Sequence, residues 1–209
     1  MTSFSEQFRQ ELDQLMRWRR DVRHFRPDPV EDAQIDRCLA TFNLAPSVGL
    51  SEPWRVIRVA SPTARAAALA NFETANAQAL TGYSGEKAKL YASLKLSGMR
   101  DAPVQLAIFC DEETDKGAGL GAGTMPEMRR YSVVAAITQF WLAARAAGLG
   151  VGWVSILDPA QISRDLAVPE SWTLVAYLCV GYAAHDMESP ELERLGWEDR
   201  RGHLPVIDR

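Results

Sequence analysis

Apolar and polar residues alternate along this chain with the periods of helices and strands. Five apolar residues at helical spacing predict an N-terminal helix: Phe4, Phe8, Leu12, Leu15 and Met16. Ser3 and Glu6 have the spacing of a capping box, which predicts the start of this helix. Asp28 followed by Pro29 predicts the start of a second helix, because Asp caps helices and Pro suits the first helical position.

Strands and further helices follow in alternation. Runs of apolar and β-branched residues predict strands at residues 54–59, 104–110, 150–156 and 172–182. Helical patterns cover residues 62–80, 128–147 and 159–166. Five or six helices with about four separated strands are typical of an α+β domain, and we expect residues 1–209 to form a single one.

Two segments fit neither period. Residues 81–100 combine glycines with lysines and tyrosines and predict an interrupted helix, which we interpret as a mobile flap over a pocket. Residues 188–209 are too charged for a core, yet they contain Trp197, Leu204 and Ile207. We therefore expect this tail to dock on another surface.

Composition argues against several classes of function. The formal net charge is −4 and no basic stripe recurs, so a nucleic-acid partner is not predicted. No apolar run approaches the ~20 residues that span a bilayer, and the first residues lack the pattern of a signal peptide, so a cytoplasmic protein is expected. Cys38, Cys110 and Cys179 are odd in number and widely spaced, which predicts buried free thiols and no metal site.

The main candidate for chemistry is the stretch of residues 18–25, directly after the first helix. Arg19, Arg20 and Arg23 lie within five positions, and a guanidinium group binds phosphate through two parallel hydrogen bonds. Asp21 is an acidic residue among three arginines. It either forms ion pairs with them or interacts with another group. A solvated helix end with local ion pairs is the simpler interpretation of these residues alone.

Motifs elsewhere in the chain favour a functional interpretation, because they resemble those of the nitroreductase family of flavin enzymes. The matching motifs are Arg19-Arg20-x-x-Arg23, Ala45-Pro46-Ser47 with Pro53-Trp54, Gly123-Thr124-x-Pro126-x-Met128, Gly150-x-Gly152-Trp153 and Pro190-Glu191-Leu192 with Gly196-Trp197. Each is weak alone, but together they span almost the whole chain. The resemblance implies a central, mostly antiparallel sheet flanked by helices, in a homodimer that exchanges the C-terminal tail and holds flavin at its interface.

Within the family, the resemblance is closest to the branch that takes reduced FMN apart with oxygen. Reduced FMN is then the substrate, and the products are 5,6-dimethylbenzimidazole, the lower ligand of cobalamin, and erythrose 4-phosphate. The resemblance leaves NAD(P)H an indirect role, through a separate flavin reductase. Two alternatives stay open: an NAD(P)H-dependent nitroreductase or flavin reductase with bound FMN, and a non-catalytic flavin-binding protein.

The resemblance also implies a role for individual residues. Asp21, where ordinary nitroreductases commonly carry Ser or Thr, would move protons near the ring, and Ser155 would hydrogen-bond the ring or an oxygen adduct. The implied FMN-binding residues are Arg19, Arg20, Asp21, Val22, Arg23, Pro46, Ser47, Gly49, Leu96, Ser155 and Arg201, with Arg200 as the alternative to Arg201. Glu52 departs from the family pattern, which often has Gln there, and adds negative charge beside an anionic ligand. His24 is interpreted as incidental.

Overall fold

The computed structural model describes residues 3–94 and 97–209. Its helices are α1 (Glu6–Trp18), α2 (Asp32–Leu39), α3 (Pro62–Leu80), α4 (Gly85–Ser93), α5 (Gly98–Asp101), α6 (Met128–Ala146), α7 (Pro159–Asp165) and α8 (Glu191–Arg194), with short 3-10 turns at Ala40–Leu44 and Val48–Leu50. Its strands are β1 (Trp54–Arg58), β2 (Val104–Asp111), β3 (Gly150–Val154) and β4 (Trp172–Gly181). Within the described ranges, no helix is both long enough and apolar enough to cross a bilayer.

The strands form one antiparallel sheet in the order β1-β2-β4-β3. The two long central strands, β2 and β4, pair along their whole lengths with one irregularity between Ile108 and Phe109. The short strands β1 and β3 are therefore the two edges of the sheet. The predicted α+β class and antiparallel sheet are confirmed.

The two faces of the sheet are covered by different helices, because successive side chains of a strand point to opposite sides. Leu106 and Ile108 of β2 pack with Phe140 of the long helix α6 on one face. Ala107 and Phe109 lie in the cluster on the other face, which also includes residues of α3 and α7. The central strands are buried on both sides, as their continuous apolar runs indicate.

Two predicted helix starts are wrong. The cap of α1 is Ser5, whose hydroxyl accepts a hydrogen bond from the Phe8 N–H at 3.1 Å, instead of a box at Ser3. Helix α2 begins after Glu31 and has no side-chain cap. Asp28 lies four residues before the first residue of α2, and its carboxylate accepts a hydrogen bond from Arg26 Nε at 2.9 Å.

The first helix presents its apolar stripe to solvent. No residue of α1 is buried, although the helix lies against α6. The exposed apolar side chains of this stripe are Phe4, Phe8, Leu12 and Met16. The apolar stripe predicted for this helix is therefore largely uncovered within the chain.

Candidate active site

The residues between α1 and α2 run alongside the edge strand β3. The Val22 N–H donates a hydrogen bond to the Val151 carbonyl at 3.0 Å, and Asp21 forms a parallel bridge with Val151. Three residues further on, Phe25 bridges to Ala183 beyond the end of β4. The arginine stretch is therefore an ordered addition to the sheet edge and does not continue α1 into solvent.

Glycines on β3 allow this close approach. A Cβ atom at Gly152 would lie 2.2 Å from the Val22 carbonyl oxygen, and one at Gly150 would lie 2.8 Å from the Val22 side chain. Any larger residue at Gly152 must push the backbone of the stretch away from the strand. The Gly-x-Gly motif thus has a structural reason: it seats the residues that carry the arginines and Asp21.

Asp21 is held by β3 and by its neighbouring arginines. Its Oδ1 accepts a hydrogen bond from the Trp153 N–H at 2.8 Å, and its Oδ2 lies 3.8 Å from Arg23 Nε. Desolvation raises the pKa of Asp21 and Glu191 adds to the rise, whereas the Trp153 bond and the charges of Arg23 and Arg19 lower it without cancelling the rise. The Asp21 side chain is still 41% exposed, because it faces an open cavity. The desolvation comes from the protein atoms that surround this cavity.

That cavity has a volume of about 360 Å³, within the range of about 300–1,000 Å³ for small-molecule sites. The arginines that line it are Arg20, Arg23, Arg145 and Arg194. Trp18 and Trp141 form aromatic walls. The combination of guanidinium groups with indole rings suits an anionic ligand that also has a flat ring system.

The first two arginines of the stretch have different surroundings. The Arg19 guanidinium lies 4.8 Å from the centre of the Trp141 ring. The Arg20 guanidinium donates through Nε to the Glu188 carbonyl at 2.8 Å, which ties it to the start of the tail. Burial lowers the pKa of Arg20, and the charges of Arg200 and Arg19 lower it further.

Arg200 therefore lies within electrostatic reach of the stretch. For Arg201, the residue preferred from the resemblance, the described residues include no hydrogen-bond or ion-pair partner. A role for either arginine in binding phosphate stays a prediction.

The tail begins by packing on the flap of the same chain. The Trp197 ring lies 5.5 Å from Tyr83 and 6.2 Å from Tyr91 between ring centres. Lys87 of α4 donates to the Trp197 carbonyl at 2.7 Å and lies over its ring at 4.3 Å. Exchange of the tail across a homodimer stays a prediction.

His24 joins the flap to the tail beside the cavity. Its Nδ1 lies 3.3 Å from the Ser97 hydroxyl and its Nε2 lies 3.6 Å from Glu191. The side chain also lines the main cavity. The interpretation of His24 as incidental to catalysis stays a prediction, and no motif in the sequence identified its contacts with Ser97 and Glu191.

The loop that carries Pro46, Ser47 and Gly49 lies at the opposite edge of the sheet. It leads into β1, and three interstrand spacings of about 4.8 Å separate β1 from β3. Neither cavity lined by Asp21 includes any of these three residues. Within one chain, the structure does not bring them together with Asp21.

The charge of Glu52 is compensated inside this loop region. The Glu52 carboxylate forms an ion pair with Lys116, and the Glu52 N–H donates to the Ser47 hydroxyl at 3.1 Å. Gly117 fits against the loop so closely that a Cβ there would lie 2.5 Å from the Gly49 carbonyl oxygen. The carboxylate found in place of the family's Gln is therefore neutralised by a neighbouring segment.

Ser155 follows the last residue of β3 and is exposed. It lies two positions after Trp153, so it is roughly 6–7 Å along the chain from the N–H that binds Asp21. The structure thus places both residues next to β3: Asp21 binds the edge of the strand, and Ser155 follows its last residue. Leu96 lies outside the described residues, and its contact with flavin stays a prediction.

All three cysteines are free and buried, as predicted. Burial raises the pKa of Cys38, and it raises the pKa values of Cys110 and Cys179 to about 12, so the thiols stay protonated at neutral pH. Within residues 3–94 and 97–209, no group of three or more His, Cys, Asp and Glu side chains could hold a metal ion.

Family membership follows from comparison with known proteins. The model of the nitroreductase family matches residues 16–182, which is most of the chain. The chain belongs to the nitroreductase family. The matched residues include the arginine stretch, all four strands and the loop at residues 46–49.

Some members of the nitroreductase family are similar over nearly the full length. The 5,6-dimethylbenzimidazole synthase of Rhodospirillum rubrum is 55% identical over 206 residues, covering 99% of this chain and 97% of the relative. The protein of the same name from Rhodobacter capsulatus is 49% identical over 94% of this chain and 95% of the relative.

Solved structures of other proteins share the fold. Iodotyrosine deiodinase, bound to FMN and 3-iodo-L-tyrosine, is similar with a TM-score of 0.73 and 20% identity, covering 95% of this chain and 97% of the other. A nitroreductase-like protein from Streptococcus mutans has a TM-score of 0.71 and 17% identity, covering 96% of this chain and 100% of the other. At these identities the likeness shows the fold alone.

Proposed function

We propose that this chain is a 5,6-dimethylbenzimidazole synthase that fragments reduced FMN with oxygen. The observation that carries the proposal is 55% identity, over 99% of the chain, to the Rhodospirillum rubrum protein of that name. Reduced FMN and oxygen are the substrates, and the products are 5,6-dimethylbenzimidazole, the lower ligand of cobalamin, and erythrose 4-phosphate. A separate flavin reductase that uses NAD(P)H would supply the reduced FMN.

The lining of the main cavity fits this substrate. Arg20 and Arg23 line it and Arg19 lies over the Trp141 ring of its wall, and these three residues would bind the phosphate and the ring edge that becomes negative on reduction. The indole of Trp141 lines the same cavity and would keep water away from a bound flavin, which would strengthen these electrostatic interactions. Arg200 approaches from the tail and would extend the phosphate site.

Asp21 would transfer protons during ring fragmentation. Its raised pKa favours exchange of a proton closer to neutral pH than an ordinary Asp allows, and the Trp153 N–H fixes the carboxylate on the strand edge. Ser155, further along the same strand, would hydrogen-bond the ring or an oxygen adduct. Hydride transfer to an external substrate requires no such carboxylate, so Asp21 supports fragmentation over simple reduction.

Family membership alone favours a second candidate, an NAD(P)H-dependent nitroreductase with permanently bound FMN. The two functions differ in the fate of the flavin. Purified protein should be mixed in air with NAD(P)H, FMN and a nitroarene or quinone, with and without an added flavin reductase. A synthase consumes FMN only when the reductase is present, and without the reductase it leaves both the FMN and the nitroarene intact. Nitroarene reduction without the added reductase, with full recovery of FMN, would support the nitroreductase, and tight FMN binding without either reaction would support a storage protein.

The proposed enzyme acts as a homodimer whose sites combine residues of two chains. The loop at residues 46–49 and Asp21 lie at opposite edges of the sheet, so one flavin contacts both only if a second copy supplies the loop. The exposed apolar stripe of α1 supports such an association. A twofold dimer would form two equivalent sites.

A mixed dimer tests this sharing. Asp21→Asn removes the carboxylate that one chain supplies to a site, and Gly49→Val distorts the loop that the other chain supplies. The loop is distorted because a Cβ at Gly49 would lie 2.8 Å from the Leu120 carbonyl oxygen, and a φ of +57° is unfavourable for residues other than glycine. Each variant alone should be inactive. The two chains, coexpressed with different affinity tags and purified as the mixed dimer, should recover roughly half of wild-type activity, since one of two sites has both halves intact. An inactive mixed dimer would show that each site lies within a single chain.

A further inference from the structure

A second, much smaller cavity also adjoins Asp21. It offers about 10 Å³ to the centre of a water molecule, and a single buried water needs roughly 10–15 Å³ by this measure. Its walls include Gly152 and Trp153 of β3, Met99 of α5 and Cys179 of β4. The cavity is therefore just large enough for one water molecule, and Asp21 and the buried Cys179 both line it.

Cys179 is a neutral hydrogen-bond donor at this position. Its side chain is 1% exposed, and burial raises the pKa of Cys179 to about 12, with the Asp21 charge adding to the rise and Arg65 opposing it. In the structure the thiol lies 3.9 Å from the Met99 sulfur. A thioether is a weak acceptor, so a stronger acceptor in the cavity would take the S–H hydrogen.

The cavity also offers enough polar partners for water, which needs two to four. The Asp21 carboxylate is an acceptor and the Cys179 thiol is a donor. The Trp153 N–H points to this edge of β3, where it binds Asp21. In an antiparallel strand the N–H and C=O of one residue face the same side, so the Trp153 carbonyl is a further acceptor on this edge.

We propose that Cys179 is a positioning residue for Asp21, acting through one water molecule held in the cavity between its thiol and the carboxylate. The water accepts from the thiol and donates to the carboxylate, which stabilises the ionised form of Asp21. It also gives Asp21 a proton-exchange partner on the side of Cys179. The consequence for catalysis rests on the proposed function, whereas the hydrogen bonding does not.

Other groups that face Asp21 stay constant when Cys179 is changed. Arg19 and Arg23 lie on the same stretch, and Glu191 faces Asp21 from α8. The remaining contact is the Trp153 N–H from β3. A change in the titration of Asp21 after substitution of Cys179 therefore reports on the small cavity.

Two substitutions test the proposal in opposite directions. In Cys179→Val the branched side chain fills the cavity and removes both the donor and the water. In Cys179→Ser the hydroxyl is a stronger donor than the thiol. We expect the acid dissociation constant of Asp21 to fall about tenfold in the Val variant and to rise severalfold in the Ser variant, because a hydrogen bond to a charged group is of that size. Carboxyl carbon NMR titration of the full-length protein, with Asp21→Asn assigning the signal, measures this constant without any turnover.

Cys38 provides the matched control, because it is buried in the core cluster on the other face of the sheet. Cys38→Val and Cys38→Ser should leave the titration of Asp21 unchanged while perturbing the core to a similar extent. The pH profile of dimethylbenzimidazole formation should shift in the same order as the NMR midpoints. If both Cys179 variants, or the Ser variant alone where Val does not fold, titrate like wild type, the proposal is overturned. A shifted NMR midpoint in a protein that forms no dimethylbenzimidazole would instead refute only the proposed function.

Discussion

Asp21→Asn is expected to lower dimethylbenzimidazole formation by about 10²–10⁴-fold, the size of a lost general acid or base. The amide has nearly the shape of the carboxylate and can still accept the Trp153 hydrogen bond, so the stretch beside β3 stays in place. FMN affinity should therefore change only a few-fold. Initial rates with reduced FMN in air, together with fluorescence titration of oxidised FMN, separate the two effects.

The matched control for this variant is Asp186→Asn. Asp186 lines the same cavity, but its carboxylate is 2.9 Å from Arg145 and belongs to a separate ion pair. The Asp186→Asn substitution removes the same negative charge and leaves the contacts of Asp21 unchanged. If Asp186→Asn lowers the rate as much as Asp21→Asn, the effect comes from the overall charge of the cavity and Asp21 has no special role.

Gly152→Ala is expected to weaken FMN binding and to lower the rate of dimethylbenzimidazole formation by about 10²-fold, because a displacement of positioned groups by about 1 Å can cost that factor in rate. The new Cβ would lie 2.2 Å from the Val22 carbonyl oxygen, so the stretch must leave the strand edge. That movement breaks the Val22–Val151 hydrogen bond and the Asp21–Trp153 contact together. Overpacking of this kind also lowers the free energy of unfolding by about 1–3 kcal/mol, which chemical denaturation measures.

Gly82→Ala is the control for the substitution itself. A Cβ at Gly82 meets only the Ala79 carbonyl at 3.4 Å, an ordinary contact, and its φ is not in the left-handed region. FMN binding and stability should stay near wild type. Normal FMN affinity in Gly152→Ala would mean that the arginine stretch does not need its contact with β3 to bind flavin.

Much of the fold could be predicted because its signals are local. Ser61 followed by Pro62 caps and starts α3, and Gly148 ends the region of α6, as the sequence patterns indicate. The start of α2 could not be predicted in this way, because the helix begins at Asp32 after Glu31, whose side chain makes no capping hydrogen bond. A helix start without a capping side chain leaves no local signal in the sequence.

The residues of the candidate site likewise differ in whether a local sequence signal identifies them. The arginines and Asp21 stand in one short motif, so the sequence was sufficient to select them. His24 is joined to Ser97 and Glu191 only after the flap and the tail have folded toward it. Cys179 reaches Asp21 through a cavity between segments that are distant in the sequence. Contacts of this kind depend on the tertiary fold, and no spacing along the chain encodes them.

The most direct measurement of the proposed function is the fate of reduced FMN. The full-length protein should be mixed in air with a known amount of chemically reduced FMN, and the products separated by chromatography. A synthase yields 5,6-dimethylbenzimidazole in a fixed ratio to the FMN that disappears, and Asp21→Asn yields almost none. Complete recovery of the flavin as oxidised FMN, with no dimethylbenzimidazole, would contradict the assignment.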